Sequence, residues 1–263
     1  MLNGSAAPPE PVRRGLIVAI ANQKGGVGKT TTAINLGATL ASEGHRVLLV
    51  DLDPQGNAST GLGVRIVDGG RSIYNVLIGH SALDEIVVPT GLNNLVLAPS
   101  SIDLAGAELE MVSMLSREQR LAAAIAPVAE DYDTILVDCA PSLGLLTINA
   151  LAAADELLIP VQCEFYALEG LGQLMDSIDL VRESLNSGLH IGGVLLTMFD
   201  TRTKLSTNVA TQIRNYFGER VFRTVIPRSI RLSEAPSYGE PIELYDRMSP
   251  GAVAYRYVAI EFL

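Results

Sequence analysis

The stretch that decides the fold is residues 22–32, NQKGGVGKTTT. Residues 28–30, GKT, match the end of a phosphate-binding loop of the pattern G-x-x-x-x-G-K-[ST]. The loop departs from that pattern at its first position, where Gln23 replaces glycine, and it carries a second lysine, Lys24. Glycines in such a loop let successive backbone N–H groups point at an anion. The sequence therefore predicts a phosphate site with one ammonium group more than the usual pattern supplies.

The side chains at the end of this loop are suited to holding a nucleotide. Lys29 would lie along the β- and γ-phosphates, Thr30 would offer its hydroxyl to Mg²⁺, and Thr31 would offer its hydroxyl to the α-phosphate. A helix beginning near Lys29 adds the positive end of its dipole. Only three of the nineteen basic residues are lysines, and two of those lie here. The alternative interpretation is a helix entry with incidental glycines.

Apolar, strand-like runs alternate with helical segments along the chain. We expect strands at 15–22, 45–51, 95–99, 134–138, 156–161, 191–199 and 224–226. We expect helices at 30–42, about 117–130, about 168–185, and from 250 to 263. Strands that are apolar throughout and alternate with helices are typical of a parallel sheet covered on both faces. The pattern predicts one doubly wound α/β domain over 15–263 with a mainly parallel sheet, preceded by a flexible tail at 1–14.

Three aspartates close predicted strands near the loop. Asp138 ends the run TILVD, the position of a Walker-B carboxylate that holds Mg²⁺ through water. Asp51 and Asp53 close HRVLLVDLD, where an aspartate could orient the water that attacks the γ-phosphate. An isolated aspartate at a strand end is usually a turn former. Because ligands of doubly wound sheets bind beyond the carboxyl ends of the strands, a functional role for Asp53 and Asp138 is favoured.

The composition excludes several classes of protein. Of the 263 residues, 48% are hydrophobic and 18% are charged, which allows a sizeable core and argues against a disordered chain. The sequence contains no apolar run of 18 residues, so we expect no transmembrane helix. Residues 1–14 lack the apolar segment of a secretory signal. Cys139 and Cys163 follow apolar runs, and we expect buried free thiols in a cytoplasmic protein.

The charge is distributed unevenly along the chain. The net charge of −10 argues against non-specific nucleic-acid binding by the chain as a whole. Residues 200–231, however, contain seven basic residues against two acidic ones, a net charge of +5, so the remainder carries −15. The basic residues are Arg202, Lys204, Arg214, Arg220, Arg223, Arg228 and Arg231. This basic segment predicts either a local anion-binding surface or solvated arginines paired with carboxylates.

Taken together, these motifs resemble those of a known superfamily. Residues 24–31 look like the deviant Walker A box of the ParA/MinD superfamily, 51–57 like its second box, and 138–142 like its switch II. Residues 160–170, 194–203 and 224–242 narrow the resemblance to the small chromosomal ParA proteins, also called Soj. The resemblance covers essentially all of 15–263. One departure is Ala140, where proline is common in the family, although Pro141 still stiffens the loop.

The resemblance implies a P-loop ATPase that binds ATP and Mg²⁺. Residues implied to contact the nucleotide are Lys24, Gly25, Gly26, Val27, Gly28, Lys29, Thr30, Thr31, Asp53, Asp138, Met198 and Pro227. Thr30 and Asp138 would hold the metal ion, whereas Lys24, Lys29 and Asp53 would be catalytic. In this family two subunits sandwich two ATP molecules, and the residue at position 24 crosses to the other subunit's phosphates. The glycine at position 25 would stay small because the opposing loop passes close by.

The resemblance also implies partners and a location. The homodimer would form only with ATP and would bind double-stranded DNA without sequence preference, through Arg202, Arg231 and Arg228. A ParB-type centromere-binding protein would stimulate slow hydrolysis and release the chain. The protein would be cytoplasmic and associated with the nucleoid, with no membrane partner. Its function would be the partition of a chromosome or plasmid.

Four alternatives fit the sequence less well. A purely structural DNA-binding module is disfavoured by the complete set of phosphate and Mg²⁺ residues. A membrane-associated positioning ATPase of MinD type would need a basic amphipathic helix at the carboxyl end, whereas residues 250–263 hold one arginine and are typical of a packed helix. An iron–sulphur relative would need clustered cysteines. An enzyme that phosphorylates a small molecule would need an acceptor pocket, which the sequence does not identify.

Overall fold

A single twisted sheet organises the chain. The computed structural model describes residues 14–67, 69–164 and 169–263. Within them, strands form a sheet in the order β3-β4-β2-β5-β1-β6-β7. The strands are β1 Leu16–Ile20, β2 Val47–Leu52, β3 Val88–Pro89, β4 Leu95–Ala98, β5 Thr134–Cys139, β6 Glu156–Gln162 and β7 His190–Thr197. Neighbouring strands are parallel, except that the short edge strand β3 pairs antiparallel with β4.

Helices cover both faces of this sheet. They are α1 Lys29–Ser42, α2 Asn57–Gly61, α3 Ile73–Leu77, α4 Leu104–Met111, α5 Arg120–Ile125, α6 Leu145–Ala153, α7 Glu169–Ser184, α8 Lys204–Phe217, α9 Ile230–Glu234, α10 Ile242–Tyr245 and α11 Pro250–Phe262. One apolar core joins the sheet to α3, α4, α5, α6, α7 and α8, and a second joins it to α1 and α11. Strands β2 and β5 are buried at every residue, as expected for largely apolar strands inside a parallel sheet, and Asp51 and Asp138 are buried with them. The predicted doubly wound α/β fold is confirmed.

The strand order places the predicted site residues together. Strand β5 lies between β2 and β1, and the three strands run parallel. Their carboxyl ends therefore open at one edge of the sheet, where the loops after Ile20, Leu52 and Cys139 meet. This is the crevice in which doubly wound sheets bind ligands.

The predicted strand at 224–226 is wrong. The bridges between this region and the sheet, Val194 to Val221 and Phe199 to Pro227, are isolated ones. Backbone hydrogen bonds also join Ile226 to Leu196 and Phe199, at 2.8 and 3.0 Å, without forming a continuous strand. The N–H groups of Arg223 and Thr224 donate to the Glu261 carboxylate at 2.6 and 2.8 Å, and so they do not extend a ladder.

The predicted helix at about 117–130 is also wrong in its extent. Only α5 is α-helical there, and a 3₁₀ turn lies on each side of it, at Arg117–Gln119 and Ala126–Asp131. Pro127 has no N–H group to continue the α-helical hydrogen bonds beyond Ile125. Strand β1 ends at Ile20, two residues earlier than the sequence predicts.

Helix α8 is an element that the sequence analysis did not predict, although Thr203 caps it and its buried side chains follow a helical period. Both cysteines are buried free thiols, as expected. Of the predicted tail, residues 1–13 lie outside the described residues, and Arg14 forms an ion pair with Asp155. Among the helices that the structure describes, none combines the length and apolarity needed to cross a membrane.

Tyr255 offers a test of how α11 is held. It is among the largest fully buried side chains, and its hydroxyl lies 3.2 Å from the Thr32 hydroxyl on α1. We expect Tyr255→Ala to lower the free energy of unfolding by about 3–5 kcal/mol, because it leaves a cavity between α11 and α1. Tyr257→Ala, on the exposed side of the same helix, should change it by less than about 0.5 kcal/mol. Urea unfolding measures both, and equal effects would contradict this packing.

Candidate nucleotide-binding site

The loop between β1 and α1 has the backbone of an anion-binding loop. Gly26 and Gly28 have φ values of 74° and 90°, a region that favours glycine, and α1 begins at the next residue. The loop is anchored to the sheet, since the Thr197 hydroxyl donates to the Val27 carbonyl oxygen at 2.8 Å. The side chain of Val27 is buried, so only its backbone is available to a ligand. The N-terminus of a fourteen-residue helix therefore faces the crevice at the carboxyl ends of β1 and β5.

Lys29 supplies a buried ammonium group at the base of this loop. Only 6% of the residue is exposed, and its Nζ donates to the Lys24 carbonyl oxygen at 3.2 Å. Burial lowers the pKa of Lys29, and the nearby carboxyl groups of Asp138 and Asp53 act in the opposite direction. The ammonium is thus held at the loop with few donors engaged, and phosphate oxygens are suited to accept from the others.

Two buried carboxyl groups lie side by side at the ends of β2 and β5. Asp51 and Asp138 are register partners, and neither residue is exposed. Asp51 accepts hydrogen bonds from the Ser59 N–H at 2.7 Å, the Ser59 hydroxyl at 2.6 Å and the Asp53 N–H at 3.3 Å. Within the described residues, neither oxygen of Asp138 has a hydrogen-bond partner. The two aspartates are therefore chemically different: Asp51 is satisfied by the protein and Asp138 is not.

The pKa of each aspartate follows from this environment. Burial raises the pKa of Asp138 well above its ordinary value, and the neighbouring Asp51 adds to the rise. The Thr30 hydroxyl lies close enough to oppose that rise, although its geometry falls short of a hydrogen bond. Burial also raises the pKa of Asp51, to about 6, against the donors that Ser59 contributes. A buried carboxyl group without donors is costly and is suited to a cation.

The donor set fits a magnesium ion that has non-protein ligands. Asp138 has two free oxygens, and Thr30 offers a hydroxyl beside it. Over the described parts of the chain, no cluster of three His, Cys, Asp or Glu side chains could hold a metal ion alone. Magnesium is commonly bound by one or two protein groups together with water and phosphate oxygens. The residues therefore fit Mg²⁺ that arrives with a phosphate ligand.

Two adjoining cavities lie at the loop. The first measures about 500 Å³ and is lined by Gly25, Gly26, Gly28, Lys29, Thr30, Thr31, Ile34, Asn35, Asp53, Gln55, Asn57, Thr60, Pro141, Met198, Ala235, Pro236 and Glu240. The second, of about 310 Å³, shares Gly28, Thr31, Met198 and Pro236 with the first and adds Pro227. Met198 has a φ of 49°, an uncommon value for a residue other than glycine, at the turn after β7. The cavities have the size and position for the phosphates and the nucleoside of one ligand.

The structure places Lys24 at the outer side of the loop. Its side chain is about one-third exposed, and its Nζ lies 4.0 Å from the Glu164 carboxylate. Gly25 next to it does not have a positive φ, and a Cβ built there would meet no described atom within 4 Å. The geometry of the single chain therefore gives no reason for glycine at position 25.

Each arginine predicted to bind DNA is paired with a carboxylate. Arg202 donates to both oxygens of Asp200, at 2.9 and 2.8 Å, and this pair lowers the pKa of Asp200. Arg228 lies 3.5 Å from Glu164. The Arg231 guanidinium forms ion pairs with the Glu234 carboxylate at 3.1 Å and the Asp246 carboxylate at 3.5 Å. Three of these four partners lie outside 200–231, so counting charges within the segment missed them.

Comparison with known families and relatives agrees with this geometry. Residues 15–191 match a family model described as an AAA domain. The sporulation initiation inhibitor protein Soj of Bacillus subtilis is 55% identical over 247 residues, covering 94% of this chain and 98% of that protein. The chromosome partitioning protein ParA of Myxococcus xanthus is 53% identical over 249 residues, covering 95% of this chain and 88% of that protein.

A solved relative shows the same fold with ligands bound. It is a structure described as cobyrinic acid a,c-diamide synthase from Mycobacterium smegmatis, with an ATP analogue and magnesium. It superposes with a TM-score of 0.83 at 38% identity, covering 94% of this chain and 93% of that one.

The unpaired Asp138 predicts an unusual response to substitution. We expect Asp138→Asn to raise the melting temperature of the ligand-free protein at neutral pH by about 2–6 °C, because a buried acid with a raised pKa costs stability at that pH and a neutral amide does not titrate. Differential scanning calorimetry measures the change. Asp131→Asn, at an exposed site, should leave the melting temperature unchanged. A lower melting temperature for Asp138→Asn would show that the carboxyl group stabilises the fold.

Proposed function

This chain belongs to the ParA/Soj family of chromosome-partitioning ATPases, and on that premise we propose how its own residues bind ATP, pair two copies and hold DNA. The observation that carries the proposal is the buried, donor-free carboxyl group of Asp138 beside the buried ammonium of Lys29 at the anion-binding loop. A magnesium nucleotide supplies a partner for both groups at once.

ATP occupies the two adjoining cavities. Its phosphates lie against the backbone N–H groups of residues 25–28 and the ammonium of Lys29, with Thr31 near the α-phosphate. Thr30 and Asp138 hold Mg²⁺, which supplies charge neutralisation for the phosphate oxygens when bound. The nucleoside lies toward Met198 and Pro227 in the smaller cavity.

Asp53 is placed to orient the attacking water. It is 6% exposed, lines the larger cavity, and its carboxylate accepts a hydrogen bond from the Gln55 N–H at 3.0 Å. In hydrolysis the water oxygen bonds to the γ-phosphorus while the bond to the bridging oxygen breaks and a proton of the water passes to a phosphate oxygen, which gives ADP and inorganic phosphate. Asp53 accepts a hydrogen bond from that water and holds it in line with the leaving oxygen.

Two copies of the chain pair across the nucleotide. The contact of Lys24 with Glu164 is long and partly exposed, and such pairs are worth about 0–1 kcal/mol, so the lysine leaves it at little cost. A triphosphate on the opposing chain attracts the ammonium far more strongly. The open space at Gly25 supports a close approach of the second loop at that point.

The paired state binds DNA. The arginine contacts with Glu164 and Glu234 are exposed ion pairs, so phosphate oxygens can replace those carboxylates at small cost. Arg202 keeps its two bonds to Asp200 and still has further donors at the surface for a phosphate. One chain offers few phosphate contacts and a pair doubles them, which raises a salt-dependent affinity steeply. ATP thereby controls retention on the nucleoid. A ParB-type protein ends that retention by stimulating hydrolysis.

The alternative functions have less support. Helix α11, which a membrane-associated ATPase of MinD type would use at the bilayer, packs on α1 through the buried Tyr255, Val258 and Ala259. A synthase of the kind that the solved relative is described as would use ATP without retaining DNA. Measurement of DNA retention in different nucleotides therefore separates partition from synthesis.

The pairing proposal is tested at the loop. Lys24→Ala should leave ATP affinity within about threefold, since Lys29 and the loop backbone remain, but should abolish ATP-dependent dimerisation in light scattering. Gly25→Val should also abolish ATP-dependent dimerisation, because its side chain excludes the opposing loop, and its melting temperature should stay close to that of the wild type. Dimers of normal stability in both variants would refute the crossing lysine.

The DNA proposal is tested by co-sedimentation at low salt. The wild-type protein should be retained with ATP but not with ADP or without nucleotide. Arg231→Ala should weaken retention by about tenfold or more and lower the salt slope by about 2 for the pair, because each copy loses one phosphate contact. Arg71→Ala removes the same charge at an exposed arginine outside the basic segment and serves as the control. Equal retention of Arg231→Ala and the wild type would contradict the proposal.

A further inference from the structure

We propose that Ser59 and Ser100 are positioning residues for hydrolysis, because they close a ring of hydrogen bonds that fixes Asp53 from both sides. The inference rests on the proposed role of Asp53. It concerns residues that belong neither to the phosphate loop nor to the metal site, and that lie 41 positions apart in the chain.

The ring consists of four residues. The Asp53 N–H donates to Oδ1 of Asp51 at 3.3 Å, and the Ser59 hydroxyl donates to Oδ2 of Asp51 at 2.6 Å. The Ser100 N–H donates to the Ser59 hydroxyl oxygen at 3.0 Å. The Ser100 hydroxyl then donates to the Asp53 carbonyl oxygen at 2.7 Å, which returns the ring to its start.

The direction of each hydrogen bond in the ring is fixed. The Ser59 hydroxyl donates to the Asp51 carboxylate, which in its ionised form has no proton to donate, and the Ser59 oxygen accepts from the Ser100 N–H. The Ser100 hydroxyl must donate because a carbonyl oxygen can only accept. Each member is at most 6% exposed, so water competes little with these bonds.

The ring joins three segments that are distant in sequence. Asp51 and Asp53 lie at the carboxyl end of β2, Ser59 lies in α2, and Ser100 follows β4. β4 is the neighbour of β2 on the side away from the phosphate loop. Ser100 thus holds Asp53 from the neighbouring strand on the side opposite the phosphate loop, while the Asp53 side chain lines the cavity.

This arrangement fixes the backbone of Asp53 at both of its polar groups. Its N–H is held by Asp51, and its carbonyl oxygen by Ser100 and by the Gly56 N–H at 2.9 Å. Without the ring, only the hydrogen bond from the Gly56 N–H would orient the backbone of Asp53 after the end of β2. Because displacement of a catalytic group by about 1 Å can cost about a hundredfold in rate, such support bears on turnover. It does not bear on ATP affinity, since neither serine contributes to the loop.

Ser100→Ala is expected to fold, which makes the test possible. The Asp53 carbonyl oxygen keeps the Gly56 donor, and the Ser100 N–H keeps the Ser59 hydroxyl. We expect basal ATP turnover, measured as kcat, to fall about tenfold with the KM for ATP unchanged within about twofold. Ser59→Ala should give a similar loss, and the double variant should lose no more than about the larger single effect, because both serines belong to one ring. Ser100→Thr, which keeps the hydroxyl, should restore at least half of the turnover.

Two comparisons separate positioning from a general effect on the fold. Ser101→Ala removes the neighbouring hydroxyl, which contacts Ser72 instead of the ring, and should leave kcat unchanged. In an Asp53→Ala background, single-turnover measurements with radiolabelled ATP should show no further loss on adding Ser100→Ala, because the serine acts through Asp53.

The outcomes distinguish this inference from the proposed function. Normal turnover of Asp53→Ala would overturn the role of Asp53 itself. Loss of turnover in Asp53→Ala together with normal turnover in Ser100→Ala would overturn the ring alone. A raised KM with unchanged kcat in Ser100→Ala, or an additional loss in the Asp53→Ala background, would also overturn it.

Discussion

Two neighbouring buried carboxyl groups differ in the number of hydrogen bonds that they accept, and the site depends on that difference. Asp51 and Asp138 lie in register on adjacent strands, yet Asp51 accepts three hydrogen bonds, while Asp138 accepts none within the described residues. Two buried carboxylates that both lacked hydrogen-bond donors would cost the fold on the order of several kcal/mol. The protein satisfies Asp51 with its own donors, whereas in the proposed function a cation satisfies Asp138 beside the phosphate loop. The proposed roles of Asp51 as a support and of Asp138 as a metal ligand follow from this difference in donors.

The same logic extends to the cationic groups of the chain. Lys24, Arg202, Arg228 and Arg231 each lie near a carboxylate of their own chain, in contacts that are at least partly exposed. The proposed ligands ATP and DNA also present anionic oxygens, on their phosphates, to these groups. Each of these four cations therefore has an anionic partner within the chain, which in the proposed function a phosphate replaces or, for Arg202, joins. Glu164 contacts both Lys24 and Arg228, which places the two exchanges next to each other.

Local sequence signals predicted much of the fold and site, and long-range contacts account for what they missed. The glycines of the loop, the apolar strands and Asp138 were predicted because each depends on neighbours in sequence. The strand at 224–226 was wrong because Glu261, far along the chain, accepts from the N–H groups of Arg223 and Thr224 and so interrupts the backbone hydrogen bonds to β7 between Phe222 and Ile226. The ring through Ser59 and Ser100, and the arginine partner Glu164, depend on residues brought together only by folding. Such contacts leave no periodic pattern that a single sequence displays.

The most direct test is to locate the metal ion. A crystal structure with a non-hydrolysable ATP analogue and Mn²⁺ in place of Mg²⁺ would show the ion by its anomalous scattering. The account predicts a peak beside the Asp138 carboxylate and the Thr30 hydroxyl, with the hydrogen bonds from Ser59 to Asp51 intact. A peak at Asp51, with those hydrogen bonds broken and Asp138 turned to protein donors, would contradict it.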